Sequence, residues 1–352
     1  MDWLESIGAP LPKIAATGGT VHMYLHEPED GSAVGNYLVD KFQTVLEDLE
    51  IPVYTDTEAT ELIEEDGKVV GVKAEGETAD YIINAKAVVL ATGGFGANEE
   101  MYCSYRPDLK GTVTTNAPGA TGDGIVMAQA VGADLVDIDQ IQLHPTVFQE
   151  NGFLVSERLR SNGAILVNKN GQRFTNDLAT RDAVSAAELE QPDCFAYIVY
   201  DSQYAEESLY QKYVTNGLTV QGDTIEDLAK ELGFDDEATQ NFVETVEKWN
   251  DTVNNGTPDE FERNNGLVAL EEGPYFAIKI APGIHHTMGG LKIDTKTEVI
   301  DTEGQAIPGL FAAGEVTGGV HGGNRIGGNA VADIVVYGRI AGQSALDYMN
   351  EQ

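Results

Sequence analysis

Basic residues are scarce in this 352-residue chain: 21 lysines and arginines stand against 58 aspartates and glutamates, a formal net charge of −37. Over most of such a surface a phosphate backbone is repelled, which excludes nucleic acid as a default partner and disfavours an anionic membrane. Cysteine is scarcer still. Cys103 and Cys194 are too few and too far apart for a disulfide framework or a cysteine-based zinc site. No apolar run reaches 18 residues, so no membrane insertion is expected, and the opening Met1–Gly8 has neither the basic start nor the apolar stretch of a signal peptide. The phosphate-cradling patterns G-x-G-x-x-G and G-x-x-x-x-G-K-[ST] occur nowhere, which leaves out a complete dinucleotide-binding start and a P-loop. Repeats and low-complexity tracts are absent too. What remains, with 42% hydrophobic and 22% charged residues, has the apolar material for a real core.

Glycine is in excess. The 39 glycines are about 11% of the chain, against an ordinary value of roughly 7%. They cluster after apolar, β-branched runs. Ala87–Gly96 (Ala-Val-Val-Leu-Ala-Thr-Gly-Gly-Phe-Gly) reads as a buried parallel strand whose carboxyl end meets a ligand or another backbone. Pro118–Gly124 reads as a loop opening a helix with Ile125, Val126, Ala128 and Val131 on it. Ile307–Glu315 is again a strand ending in glycine. It leads through Val316–Ala330 to a helix from about Val331 to Tyr348. A helix that starts after a glycine-rich loop offers free backbone N–H groups and the positive end of a dipole, a seat for phosphate or for a ring that becomes anionic.

Between these clusters, Gly35–Leu49 has helical spacing, Ile51–Tyr54 reads as a strand, and Ala59–Ala85 as a β-meander punctuated by Asp-Gly and Glu-Gly. Near residue 140 the texture changes to polar loops with helices. Thr224–Asn254 is strongly helical, with Leu228, Leu232, Phe242, Val243, Val246 and Trp249 as its core face, and strands resume around Tyr275–Ile280. The simplest account is one α/β domain built from both ends of the chain, with a separate domain inserted between them.

Four of the six histidines lie in distinctive contexts: His144 in Gln-Leu-His-Pro-Thr, His285 and His286 in Gly-Ile-His-His-Thr-Met-Gly-Gly, and His321 in Gly-Gly-Val-His-Gly-Gly-Asn-Arg. Adjacent rings on a strand point apart, and no carboxylate or cysteine stands at ligand spacing, so no metal is expected. In so acidic a chain Arg158, Arg160, Arg181 and Arg325, each in a motif-like segment, are islands of positive charge suited to a small anion. Taken alone, Arg181–Asp182 reads as a surface ion pair.

The segments Gln142–Thr146, Ser156–Asn168, Arg173–Asp182, Ala281–Gly290 and Ile307–Ala330, in this order, resemble the soluble flavocytochrome c type of fumarate reductase. Its flavoprotein belongs with those of succinate dehydrogenase, L-aspartate oxidase and urocanate reductase. The resemblance implies an α/β fold: an incomplete Rossmann-like FAD-binding domain, residues 1–139 and 268–352, with an inserted α+β capping domain, residues 140–267. It implies FAD as cofactor and fumarate, a small dicarboxylate, as substrate. Reduced flavin N5 would deliver hydride to one alkene carbon while Arg181 protonates the other, resupplied through Glu157 and Arg160. The substrate carboxylates would be held by Arg325 and His285 at one end and by His144 and Ser156 at the other. For the flavin, Gly314 and Glu315 stand at a strand end, and Gly328, Asn329 and Ala330 open the final helix. Thr92, Gly93, Gly94, Thr115 and Asp123 are further candidates for the same crevice. His286 and His321 are read as packing groups against the cofactor.

The chain departs from the family pattern in places. It opens at a point that resembles the interior of the flavoprotein domain, after the first βαβ unit with its fingerprint, so the expected readings are a fragment, a weak half-site for flavin, or a chain completed by a partner. Ser156 stands where threonine is usual, and Leu154 and Thr17 where methionines are expected near substrate and flavin. His144 favours a dicarboxylate over urocanate. The alternatives carried forward are a reductase of another α,β-unsaturated acid, of urocanate or aryl acrylate type, and a flavin-free interaction subunit. A heme or FMN electron-donor domain, and any export signal, would lie upstream of Met1.

Overall fold

The computed structural model describes residues 1–15, 24–204 and 208–352; Thr17 lies outside them. Two sheet systems organise the chain. The first is a three-stranded sheet in the order Glu298–Ile300, Ala306–Ala312, Val88–Leu90, in which the last two run parallel with Leu310 opposite Val88. Their carboxyl ends lead directly into Gly93–Gly94 and Gly314–Glu315, the position where open α/β sheets bind ligands. The final helix, Asn329–Glu351, packs against this pair, and the meander Thr57–Glu65, Lys68–Gly76, Asp80–Asn84 packs on the strand Ala306–Ala312. Leu62, Val69, Leu90, Phe95, Ile125 and Leu310 form the core beneath.

The second system is a six-stranded sheet: Ile165–Val167, Ala196–Tyr200, Tyr275–Thr287, Ile141–Phe148 and Phe153–Leu154 in order, with Thr219–Gly222 also on Tyr275–Thr287. It draws on residues from both sides of position 268. The 13-residue strand Tyr275–Thr287 pairs by its first half with Ala196–Tyr200 and by its second half with Ile141–Phe148. Alternation along the strands fills both faces. Leu166, Ile198 and Ile278 point to one core, with Leu159, Val184 and Tyr213. Ile165, Val199 and Ala277 point to the other, under Leu228, Phe242 and Trp249.

Two expectations change in detail. Ile51–Tyr54 pairs with no strand among the described residues and stays exposed. Pro52 has no N–H to donate, and the chain has turned at Glu50, φ 52°, so pairing begins only at Thr57. The strongly helical stretch Thr224–Asn254 resolves into two helices, Ile225–Glu231 and Asp236–Asn255. Gly233, φ 76°, ends the first, and Asp235 caps the second by accepting the Ala238 N–H at 2.8 Å. No helix among the described residues is long and apolar enough to cross a membrane.

Candidate active site

Five chain segments, around residues 142, 157, 181, 285 and 325, converge where the two sheet systems meet. Gln142 and His144 alternate on one strand, so both point to the same side. Across the ladder Gly283 lies opposite His144, and His286 opposite Gln142. Glu157 and Arg181 are each the first residue of a helix, Glu157–Ser161 and Arg181–Leu189. Ser156 caps the former, its Oγ accepting the Arg158 N–H at 3.2 Å.

Arg181 is buried and grips Glu157 in two-point fashion: Nε donates to Oε1 and Nη2 to Oε2, both at 2.8 Å. Its third nitrogen, Nη1, donates to Gln142 Oε1 at 2.8 Å. The isolated reading of Arg181 with Asp182 is therefore corrected: Asp182 accepts a bond from Asn324 Nδ2 at 2.5 Å, and Arg181 turns inward. Arg160, fully buried, reaches Glu157 Oε1 at 3.5 Å through Nη2 and donates Nη1 to the Asp177 carbonyl at 2.6 Å. Gln142 joins the two ends of the group. Its Oε1 also accepts from Arg325 Nη2 at 3.3 Å, and its Nε2 donates to the Arg325 carbonyl at 2.6 Å and to Asn324 Oδ1 at 2.8 Å. His144 and His285 meet edge to face, ring centroids 4.9 Å apart, and Thr115 Oγ1 bonds His285 Nδ1 at 2.8 Å.

Electrostatics follow from this packing. Burial drives both imidazoles well below their usual range, and the Arg181 charge adds to it, so both are neutral. The Thr146 N–H donates to His144 Nδ1 at 3.2 Å, which leaves the ring proton on Nε2, 3.7 Å from Glu157 Oε1. Burial by itself lifts a carboxyl group, but the hydrogen-bonded Arg181 outweighs it and holds Glu157 far below the carboxylate range. Arg325 is pulled down to about 10 by burial and by the nearby Arg181.

A second group adjoins the first. Glu315 bonds His286 Nδ1 at 3.2 Å and accepts from the Thr287 N–H at 2.9 Å. Gly94 packs so tightly on Thr287 and Glu315 that a Cβ there would lie 2.1 and 2.6 Å from their side-chain oxygens. Thr92 packs in the same way on the backbone of Gly124. Asp123 stands apart, exposed at a helix start and bonded by Thr121 Oγ1 at 2.7 Å. His321 Nε2 bonds Asp333 Oδ2 at 3.0 Å, and its ring lies 5.4 Å from that of His286. A cavity of about 820 Å³ runs from His144, Ser156, Glu157 and Arg181 past Tyr24 to Gly327, Gly328 and Asn329 at the start of the final helix. Leu154 is on its wall.

Sequence reasoning omitted Gln142 and Tyr24. For Gln142 the signal was at hand: it stands two residues before His144 on a strand and so shares its face. Tyr24 carries no motif; its hydroxyl donates to the Gly327 carbonyl at 2.7 Å, a contact over 303 residues of chain. Arg158 is occupied otherwise, paired with Glu27.

Comparison with known proteins places this geometry. The chain matches the FAD binding domain family over residues 1–331. It is 45% identical over 348 residues to the NADH:fumarate oxidoreductase of Klebsiella pneumoniae (strain 342), covering 98% of this chain and 37% of that protein. It is 36% identical to the urocanate reductase of Eggerthella lenta over 98% of this chain and 59% of that one. Among solved structures, the open conformation of a flavocytochrome c3 fumarate reductase superposes with a TM-score of 0.81 at 43% identity, covering 99% of this chain and 62% of the other. The chain thus spans only part of the length of each of these relatives.

Proposed function

Because the chain belongs to the FAD-dependent family of fumarate reductase flavoproteins, we propose that it reduces the carbon–carbon double bond of a small unsaturated dicarboxylate, fumarate first, with Arg181 as proton donor. The observation that carries this reading is the Arg181 guanidinium, locked to Glu157 by two bonds of 2.8 Å and opening on the cavity. Residues 142, 144, 157, 160, 181, 285 and 325 hold three guanidinium groups for one carboxylate. In a chain with 58 acidic residues, such a buried excess of positive charge is a seat for an anion.

The residues present fit the isoalloxazine end of FAD. His286 Nε2 is buried without a hydrogen-bond partner among the described residues. The final helix starts after Gly328 with no side-chain cap, and Gly328 and Asn329 at its positive end line the cavity. Gly328, Asn329 and Ala330, with Gly94, Gly314, Glu315 and His286, would hold the cofactor. Bound and reduced, FAD supplies the hydride.

The chain's own side chains supply the rest. Arg325 offers a guanidinium to one substrate carboxylate, with neutral His285 beside it, and His144 and Ser156 line the other end. Fixing both carboxylates holds the double bond in one orientation and polarises it toward the carbon that accepts hydride. Arg181 delivers the proton to the other carbon. An arginine gives up a proton only if another arrives in concert, and Glu157, bonded to Arg181 and 3.5 Å from Arg160, is placed to pass one on.

The test begins with the chain purified in excess FAD and its flavin content read from the visible spectrum. Fumarate, urocanate and an aryl acrylate are then assayed with a reduced dye. Arg181→Ala is expected to lower fumarate reduction by about a thousandfold or more at unchanged flavin content. An active Arg181→Ala chain would overturn the acid role, and preference for urocanate would move the substrate.

A further inference from the structure

Beyond the relay of Arg181, Glu157 and Arg160, the interior holds a buried glutamate that the reaction as described does not use. Glu188 is fully buried, and both its carboxyl oxygens lack a hydrogen-bond partner among the described residues. It lies seven residues after Arg181 on the same helix, two turns on along the same buried face as Val184 and Ser185, about 10 Å behind the proton donor. The charged group that acts on it is the Arg160 guanidinium on the helix Glu157–Ser161, with which it shares no hydrogen bond. Arg160 Nε is itself buried and unpartnered. Leu189 and Glu190, directly after Glu188, are exposed. A buried acid within electrostatic reach of the relay arginine, on a helix whose next residues are exposed, is the arrangement a proton entry needs.

We propose that Glu188 extends the proton relay by one carboxyl group, reprotonating Arg160 after each turnover. The inference rests on the proposed reduction of a double bond with Arg181 as acid. Burial pushes Glu188 well above the usual carboxylate range, against the opposing pull of Arg160, which favours the protonated carboxyl. The step balances. As Arg181 gives its proton to the substrate carbon, Glu157 passes one to Arg181 and Arg160 passes one to Glu157. Once the two side chains, not hydrogen-bonded at rest, come into contact, the O–H bond of Glu188 breaks as an N–H bond forms on Arg160, leaving a carboxylate beside a restored guanidinium. Water reloads the carboxylate at the helix end. No electrons move in these steps, and the sum is one proton carried from solvent to substrate. Glu188 touches no reacting atom and acts only through Arg160.

Two measurements test this. The first needs no turnover: infrared spectra of the full chain, native against Glu188→Gln, read for the carbonyl stretch of a protonated carboxylic acid and its downshift in D2O. The band is expected in the native chain at neutral pH, absent in Glu188→Gln, and kept at a shifted position in Glu188→Asp. A spectrum in which Glu188→Gln removes no such band would overturn the proposal. The second uses the flavin-loaded chain: Glu188→Gln is expected to lower kcat about 10- to 100-fold with KM unchanged and a larger solvent isotope effect, while Glu188→Asp recovers most of the rate. Native kcat and isotope effect in Glu188→Gln would also overturn it. A native chain that reduces no enoate would count against the proposed function instead, and the infrared band separates the two failures.

Discussion

Replacing Gln142 isolates the contact that ties the proton donor to the carboxylate anchor. In Gln142→Leu the side chain keeps its approximate size but loses the acceptor shared by Arg181 Nη1 at 2.8 Å and Arg325 Nη2 at 3.3 Å. Hydrogen bonds to charged groups contribute about 1.5–3 kcal/mol each, and the longer one counts for less, so the loss is about 2–4 kcal/mol. Glu157 still holds Arg181 by two bonds, which lowers the effect on the transition state to about 1.4–2.8 kcal/mol. That corresponds to a 10- to 100-fold fall in kcat/KM for fumarate, measured on the flavin-loaded chain with flavin content as the control. Gln142→Glu separates the two arginines' roles. A carboxylate at this position competes with the substrate for Arg181 and Arg325, so KM is expected to rise more than kcat falls. If Gln142→Leu retained kcat/KM within about twofold at unchanged flavin content, Gln142 would not be coupling the two arginines and the reasoning would fail.

Two further outcomes follow from the buried charges. Asp177 is fully buried and accepts from Arg173 Nη2 at 2.6 Å, Arg263 Nη1 at 3.0 Å and the Leu166 N–H at 2.6 Å, while both guanidinium groups lie over the Trp249 ring, 4.8 and 4.6 Å from its centroid. Asp177→Ala leaves those cations short of a partner and is expected to cost about 3 kcal/mol in urea unfolding; Asp259 still holds Arg173, which keeps the loss at the low end of the range for a broken buried pair. His144 and His285 are held neutral, their folded pKa values well below 6.5, so the unfolded chain binds protons that the folded chain refuses as pH falls through 6.5. Stability is then expected to drop by about 1.4 kcal/mol per pH unit for each ring below that point, and His285→Gln should remove one such share of the slope between pH 6 and 5. An unchanged slope in that variant would show that the ring titrates freely in the folded state.

Read alone, the amino-acid sequence determined the periodic parts of this protein. Apolar runs ending in glycine marked the parallel strands Val88–Leu90 and Ala306–Ala312, and helical spacing marked the final helix, because period and turn chemistry act over a few residues. The side chains that the family pattern listed, Arg181, Glu157, Arg160, His144, His285 and Arg325, lie together in the fold. Their partnerships were not legible. Arg181 and Asp182 are neighbours in sequence, yet the charge pair forms with Glu157, 24 residues away, since a residue and its successor on a helix point apart. Gln142 bridges to Arg325 across 183 residues, and Glu188 shares the interior with Arg160. Tertiary structure decided these contacts, because only the folding of two sheet systems against each other excludes water from the space between. Desolvation is what turns the same side chains into neutral imidazoles, a locked guanidinium and a carboxyl group raised well above its usual range.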